Sequence, residues 1–211
     1  MAILEEISTL MQQGRAPKVK ELVAQALEEG IGPKEILEDG LLSAMGIVGE
    51  KFKNNEVFVP EVLIAARAMN AGVEVLKPHL VSEGVESKGT VVLGTVKGDL
   101  HDIGKNLVKM MMEGKGLNVV DLGVDVSPEQ FVEAAQQNNA QIIACSALLT
   151  TTMGEMKNVV DTLNAKGLRD QFKVMIGGAP VTQAYCDQIG ADSYTEDAAS
   201  ASEVALSYCI A

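Results

Sequence analysis

The residue types best suited to chemistry lie in one short segment, Gly98-Asp99-Leu100-His101-Asp102-Ile103-Gly104-Lys105-Asn106. The chain has only two histidines, and one of them, His101, follows Asp99 by two positions. A carboxylate that accepts the proton of one ring nitrogen fixes the imidazole tautomer and leaves the other nitrogen free to bind a metal. No second histidine, cysteine or carboxylate stands at zinc-like spacing around this pair, so a protein-only metal cage is not expected. A site with one protein ligand needs a cofactor that brings the remaining ligands, as a tetrapyrrole does. The second histidine, His79, stands beside Pro78 near a helix end and reads as exposed and inert.

Two further segments carry unusual residues. One is Ser146-Ala147-Leu148-Leu149-Thr150-Thr151-Thr152 and the other is Gly177-Gly178-Ala179-Pro180. Residues without a Cβ, such as Gly104, Gly177 and Gly178, let a bulky ligand approach the backbone. Taken alone, Gly177-Gly178 is ordinary turn chemistry. One of Ser146, Thr150 and Thr152 is expected to cap the helix that follows. No GxGxxG follows the first strand and no Walker lysine loop is present, so dinucleotide and nucleoside triphosphate sites are poorly supported.

The elements that must position these segments differ between the two halves of the chain. Residues 1–85 show helical periodicity and almost no strand signal. The pattern predicts helices over Ala2–Gln13, Pro17–Glu29, Pro33–Lys53 and Pro60–His79, a four-helix bundle with short connections. Gly40 and Gly46 inside the third helix suggest close helix packing. Val81–Lys88 is polar and reads as a linker. Residues 86–211 then alternate, with β-branched runs at Thr90–Val96, Val119–Leu122, Gln141–Ser146, Lys173–Ile176 and Ala191–Thr195. Between and after them lie helical segments near Ile103–Glu113, Pro128–Asn138, Met153–Ala165, Thr182–Gln188 and Ser200–Ile210. This is an α/β domain, a five-stranded parallel Rossmann-like (flavodoxin-like) sheet with helices on both faces. The common order for such a sheet is 2-1-3-4-5. It brings the loops after strands one, three and four side by side, at the carboxyl edge where ligands bind. All three unusual segments fall in those loops.

Composition narrows the function classes. The net charge is −12, which argues against nucleic acid, since a phosphate backbone requires a Lys/Arg surface, and against an anionic membrane surface. No apolar run reaches membrane-spanning length, and the amino terminus does not read as a secretory signal. Cys145, Cys186 and Cys209 are odd in number and widely spaced. They read as reduced core residues of a cytoplasmic protein rather than as nucleophiles.

The three segments together resemble the fingerprint of the cobalamin-binding domain shared by methionine synthase, corrinoid methyltransferase proteins and B12-dependent mutases. That fingerprint is Asp-x-His-x-x-Gly, Ser-x-Leu and Gly-Gly at fixed separations. Here it is Asp99, His101 and Gly104, then Ser146 and Leu148 after residues 105–145, then Gly177 and Gly178 after residues 149–176. The resemblance implies a cobalamin or related corrinoid, with the cofactor's own base displaced and His101 as the lower axial ligand to cobalt. It also implies a relay His101–Asp99–Thr152. The implied cofactor contacts are Asp99, His101, Asp102, Ile103 and Gly104 in the first loop, Ser146, Leu148, Thr150 and Thr152 in the second, and Gly177 and Gly178 in the third.

The first half is similar to the helical cap of the methyl-transferring branch. The similarity lies in Met45–Phe52, Glu56–Glu61 and Ala65–Met69, although the same residues also read as the buried stripe of a helix pair. The stretch around Phe58, Leu63 and Met69 is the part expected to touch the methyl face. The implied function is a non-catalytic methyl carrier using methylcobalamin and Co(I) forms. Its implied partners are a substrate-specific methyltransferase, an acceptor methyltransferase with a tetrahydrofolate or thiol acceptor, and a reductive activase. Two alternatives stay open at this point: the cobalamin subunit of an adenosylcobalamin-dependent mutase, and a B12 sensor.

Overall fold

The computed structural model describes residues 2–210 and divides the chain into two compact units. The first comprises the residues up to Ser87 together with Gly114–Gly116, and the second Lys88–Glu113 with the residues from Leu117 onward.

The first unit is helical. Its elements are α1 (Ala2–Gln12), α2 (Ala16–Glu28), α3 (Pro33–Glu35), a π-helical segment (Ile36–Leu42), α4 (Ser43–Lys53) and α5 (Val59–Ser82). Ile7, Met11, Val19, Val23, Leu41, Met45, Val62, Met69 and Leu76 recur at helical spacing and are buried, which is what closes the bundle. The π-helical segment interrupts the predicted third helix around Gly40. A Cβ on Gly40 would lie 3.4 Å from Ile7, so this glycine does serve close packing against α1. Gly46 does not, since a Cβ there would meet nothing within 4 Å. The crowded glycine that the sequence reading passed over is Gly72, whose Cβ would lie 3.0 Å from Leu41 and 3.2 Å from Val19. Helix α5 runs through Pro78 to Ser82, so the linker begins later than Val81. Of the residues expected at the methyl face, Phe58 is exposed, Leu63 half-buried and Met69 buried.

The second unit is a five-stranded parallel sheet in the order β2-β1-β3-β4-β5. The strands are β1 (Thr90–Thr95), β2 (Asn118–Asp121), β3 (Ile142–Ser146), β4 (Lys173–Gly177) and β5 (Ser193–Tyr194). The edge strands are thus short, four residues in β2 and two in β5. The helices are α6 (Ile103–Glu113), α7 (Pro128–Gln137), α8 (Gly154–Ala165), α9 (Gln183–Ile189) and α10 (Ala198–Ile210).

Alternation along β1 divides the core in two. Val91 and Leu93 pack with Met112 of α6 and with Ala201 and Ala205 of α10. Val92 and Val96 pack with Phe131 of α7, Val159 of α8 and Ile189 of α9. β1 lies inside the sheet, flanked by β2 and β3, and the reversal of strand order falls between β1 and β3. Among the described residues, no helix is long and apolar enough to cross a membrane.

Candidate functional site

The loops after β1 and β3 meet at that reversal, and one buried carboxylate joins them. Asp99 has no exposed side-chain surface. Its Oδ1 accepts from His101 Nδ1 at 2.7 Å and from the His101 backbone N–H at 3.1 Å. Its Oδ2 accepts from Thr152 Oγ1 at 2.7 Å and from the backbone N–H groups of Leu148 at 2.9 Å and Leu149 at 3.3 Å. Burial pushes the Asp99 carboxyl up, but the donors from Thr152, His101 and Leu148 outweigh it and hold the group well below the usual carboxylate range. Asp99 is therefore a charged acceptor, and the ring proton must sit on His101 Nδ1. In the neutral ring this leaves the lone pair on Nε2, which has no protein partner among the described residues and belongs to a side chain that is half exposed. This arrangement can present a nitrogen to a metal. Among the described residues, no group of three or more His, Cys, Asp or Glu is placed to do so.

Thr152 was one of three candidates for capping the next helix. It does not cap it, and neither do Ser146 and Thr150: α8 begins after Met153 with no side-chain cap. The Thr152 hydroxyl has one proton and faces two acceptors, Asp99 Oδ2 at 2.7 Å and the Leu149 carbonyl at 2.9 Å. The charged and closer acceptor takes it. Ser146 ends β3, Thr150 is exposed in the loop beyond, and neither hydroxyl has a protein partner among the described residues. Asp102 is exposed and accepts from Asn106 at 3.2 Å at the start of α6.

Leu100 is 71% exposed and Ile103 77%, and Leu148 and Leu149 are exposed as well. Four large apolar side chains thus lie open in the two loops that Asp99 joins, where polar residues would be expected on a solvated surface.

The glycines differ in role. A Cβ on Gly104 or Gly177 would meet nothing within 4 Å, so at those positions the missing side chain leaves open space. Gly178 has φ +133, and a Cβ there would lie 1.9 Å from the Ala147 carbonyl oxygen. Only glycine fits this contact between the loops after β3 and β4.

Sequence reasoning missed several residues that shape the site. The fully buried Thr95 donates through Oγ1 to the His101 carbonyl at 2.8 Å. Asp125 Oδ1 accepts from Gly98 N–H at 2.7 Å. Lys105 is buried in the first turn of α6, with Nζ 2.6 Å from Asp121 Oδ1 at the end of β2. The one available signal was Thr95, a hydroxyl residue closing an otherwise apolar strand face. Burial pushes the Cys145 thiol up to about 12 and raises those of Cys186 and Cys209; Cys145 and Cys186 are buried in the core and Cys209 is partly buried against it.

Comparison with known proteins agrees with this geometry. A B12 binding domain family matches residues 89–203, and a second B12 binding domain family matches residues 3–77. The chain is 42% identical over 208 residues to a corrinoid protein of Desulfitobacterium hafniense strain Y51, covering 97% of this chain and 96% of that one. It is 47% identical over 204 residues to trimethylamine corrinoid protein 1 of Methanosarcina acetivorans, covering 94% of each. Among solved structures, it superimposes with a TM-score of 0.89 on a chain of the methanol:cobalamin methyltransferase complex MtaBC from Methanosarcina barkeri. That match has 34% identity and covers 99% of this chain and 80% of that one. The chain therefore belongs to the B12-binding family of corrinoid proteins found in methylamine- and methanol-type methyltransferase systems.

Proposed function

We propose that this chain carries a methyl group on a cobalt corrinoid, receiving it from a substrate-specific methyltransferase and yielding it to a second, acceptor methyltransferase. The observation that carries the reading is the buried, fully hydrogen-bonded Asp99 holding His101 Nδ1 and leaving Nε2 open at the strand-order reversal. The residues fit a corrinoid in two further respects. The open apolar side chains Leu100, Ile103, Leu148 and Leu149 suit a large, partly apolar macrocycle. The empty space at Gly104 and Gly177 and the unpartnered hydroxyls of Ser146 and Thr150 suit its amide periphery and nucleotide tail.

When bound, the cobalt supplies a centre that takes up and gives up a methyl group as it cycles between Co(I) and Co(III). The protein's part is to hold that centre. His101 would hold the cobalt through Nε2. Asp99 fixes its tautomer and strengthens it as a donor, and Thr152 keeps Asp99 charged and oriented. Asp102, Ile103, Ser146, Leu148, Thr150, Gly177 and Gly178 complete the contacts. Residues 86–211 form the cofactor domain and residues 1–85 a protective cap. A reductive activase is a further expected partner, since a Co(I) centre is easily oxidised.

The test is turnover. The full chain loaded with Co(I) cobalamin should demethylate trimethylamine, dimethylamine or methanol negligibly until the matching methyltransferase is added. Rapid demethylation by the chain alone would overturn the carrier reading. In a parallel arm with methylcobalamin, a chain reduced to residues 86–211 should bind the cofactor yet lose the methyl group to light faster than the full chain. Equal photolysis rates would remove the cap role.

A further inference from the structure

The imidazole of His101 is steered by Asp99, but the backbone that carries it is held by other groups. Val91 and Leu93 face the α6–α10 side of the sheet, and strand alternation puts Thr95 on the same face. Thr95 closes β1 and is fully buried. Its hydroxyl donates to the His101 carbonyl at 2.8 Å, while the His101 N–H donates to Asp99 at 3.1 Å. The peptide groups on both sides of the His101 Cα are therefore tied.

A second hold comes from the loop after β2. Asp125 has φ +54, a left-handed conformation that turns its side chain and its N–H back toward the His101 loop. Its Oδ1 accepts from Gly98 N–H at 2.7 Å, and its own N–H donates to the Asp99 carbonyl at 3.0 Å. Residues 98–101 are thus fixed from the end of β1 and from a neighbouring loop, through bonds that do not involve the Asp99–Thr152 contact.

We infer that Thr95 and Asp125 are positioning residues that set where the His101 imidazole stands relative to the metal, separately from the tautomer control exerted by Asp99. The inference rests on the assignment of His101 as the cobalt ligand. Metal–nitrogen bonds are about 2 Å long and tolerate displacements of only a few tenths of an ångström. A loop free to move by more would lose the ligand even with Asp99 intact.

The test uses full-length protein with isotopically labelled histidine, loaded with cobalamin and reduced to Co(II), read by the splitting that the labelled histidine nitrogen contributes to its electron spin resonance and by cobalamin affinity in equilibrium dialysis. Thr95→Val keeps the branched strand-forming shape and removes the hydroxyl. It should bind about 10-fold more weakly, with part of the population lacking that splitting. Thr95→Ser should return both readouts toward wild type. Wild-type splitting and affinity in Thr95→Val would overturn the role of Thr95.

Asp125 gives an independent arm should Thr95→Val fail to fold. Asp125→Gly accepts φ +54 without strain and keeps the backbone bond to Asp99, so it should lose a part of the splitting, and Asp125→Asn, which keeps the acceptor oxygen, should not. An Asp125→Gly protein identical to wild type, or an Asn variant as weak as the Gly variant, would overturn the positioning role. Absence of splitting from the labelled histidine in the wild type would instead overturn the ligand assignment, so the two failures are distinguishable.

Discussion

Two carboxylates stand near the carboxyl edge of the sheet, Asp99 after β1 and Asp121 at the end of β2, and their surroundings differ in kind. Asp121 accepts from Lys105 Nζ at 2.6 Å and Lys109 Nζ at 3.4 Å, with a backbone bond from Gly123 at 2.9 Å. Burial pushes its carboxyl up, and Lys105, Gly123 and Lys109 bring it below the ordinary value. Asp99 reaches the same side of its ordinary value through hydrogen bonds, with no lysine or arginine among its donors. A carboxylate matched by lysines has its charge neutralised locally and acts as a structural tie. A carboxylate held by neutral N–H and O–H groups keeps its charge and directs it at one partner, here the imidazole of His101. The first secures the start of α6 to β2, and the second, in the proposed function, tunes a ligand.

This contrast is broken most severely at the imidazole. His101→Ala should leave cobalt water-bound or bound by the cofactor's own base, abolish the splitting from labelled histidine nitrogen in the Co(II) spectrum, and lower cobalamin affinity by more than about 100-fold, beyond the range for outer partners. Spectra unchanged from wild type would show that Asp99 is not serving a ligand at all.

Asp99→Asn should have the next largest effect, about 10–100-fold in affinity. An amide has one oxygen where the carboxylate has two. If that oxygen stays with the N–H groups of Leu148 and Leu149, the NH₂ faces His101 Nδ1 and forces the ring proton onto Nε2, the nitrogen that should bind metal. Labelled-histidine splitting retained at wild-type strength would mean that tautomer control is not what Asp99 does.

The smallest effect on the cofactor should follow Lys105→Met. Removing a buried partner of Asp121 should cost roughly 1–3 kcal/mol in unfolding free energy by leaving a charged group short of its donor, while cobalamin affinity stays close to wild type. The sign of the pH dependence follows from the lowered Asp121 value. The contribution is present above the ordinary carboxylate range and lost as pH falls through the folded-state value. Wild type should therefore lose more stability on acidification than the variant, as denaturant melts at several pH values would record. A large loss of affinity in Lys105→Met would mean that the two carboxylates are not separate devices.

Much of the architecture could be read from the sequence because it rests on periodicity. The run from Thr90 alternates across two apolar faces, and Ile103–Glu113 emerges as α6 with the bounds that its pattern predicts. What periodicity cannot show is hydrogen-bond competition. The strand predicted at Ala191–Thr195 shrinks to Ser193–Tyr194 because Asp192, although it pairs with β4 through its N–H, spends its carboxylate on Arg169 and on the Val174 N–H. The π-helical segment at Gly40 depends on the shape of α1 opposite it, which lies far away in the sequence.

At the site, the pairing of His101 with Asp99 follows from two letters with one residue between them. The contribution of Thr152 came only through family resemblance, since the residues alone suggested a helix cap. Thr95 showed only as a hydroxyl closing an apolar strand face, with no hint of its partner, and Asp125 was out of reach altogether. Each acts on a backbone group in another part of the loop, and a residue's type does not disclose which distant carbonyl or amide it faces.

The shortness of the outer strands bears on how this protein associates with others. An unpaired strand edge offers a row of amides and carbonyls on which any other chain can continue the sheet, which is the route to open-ended polymers. β5 offers two residues of such an edge and β2 four. In the proposed role of a carrier that meets and releases successive partners, the protein would benefit from having no long edge to catch on. Its encounters are left to side chains, which can be matched to one enzyme and not to another, rather than to backbone, which pairs with any extended chain.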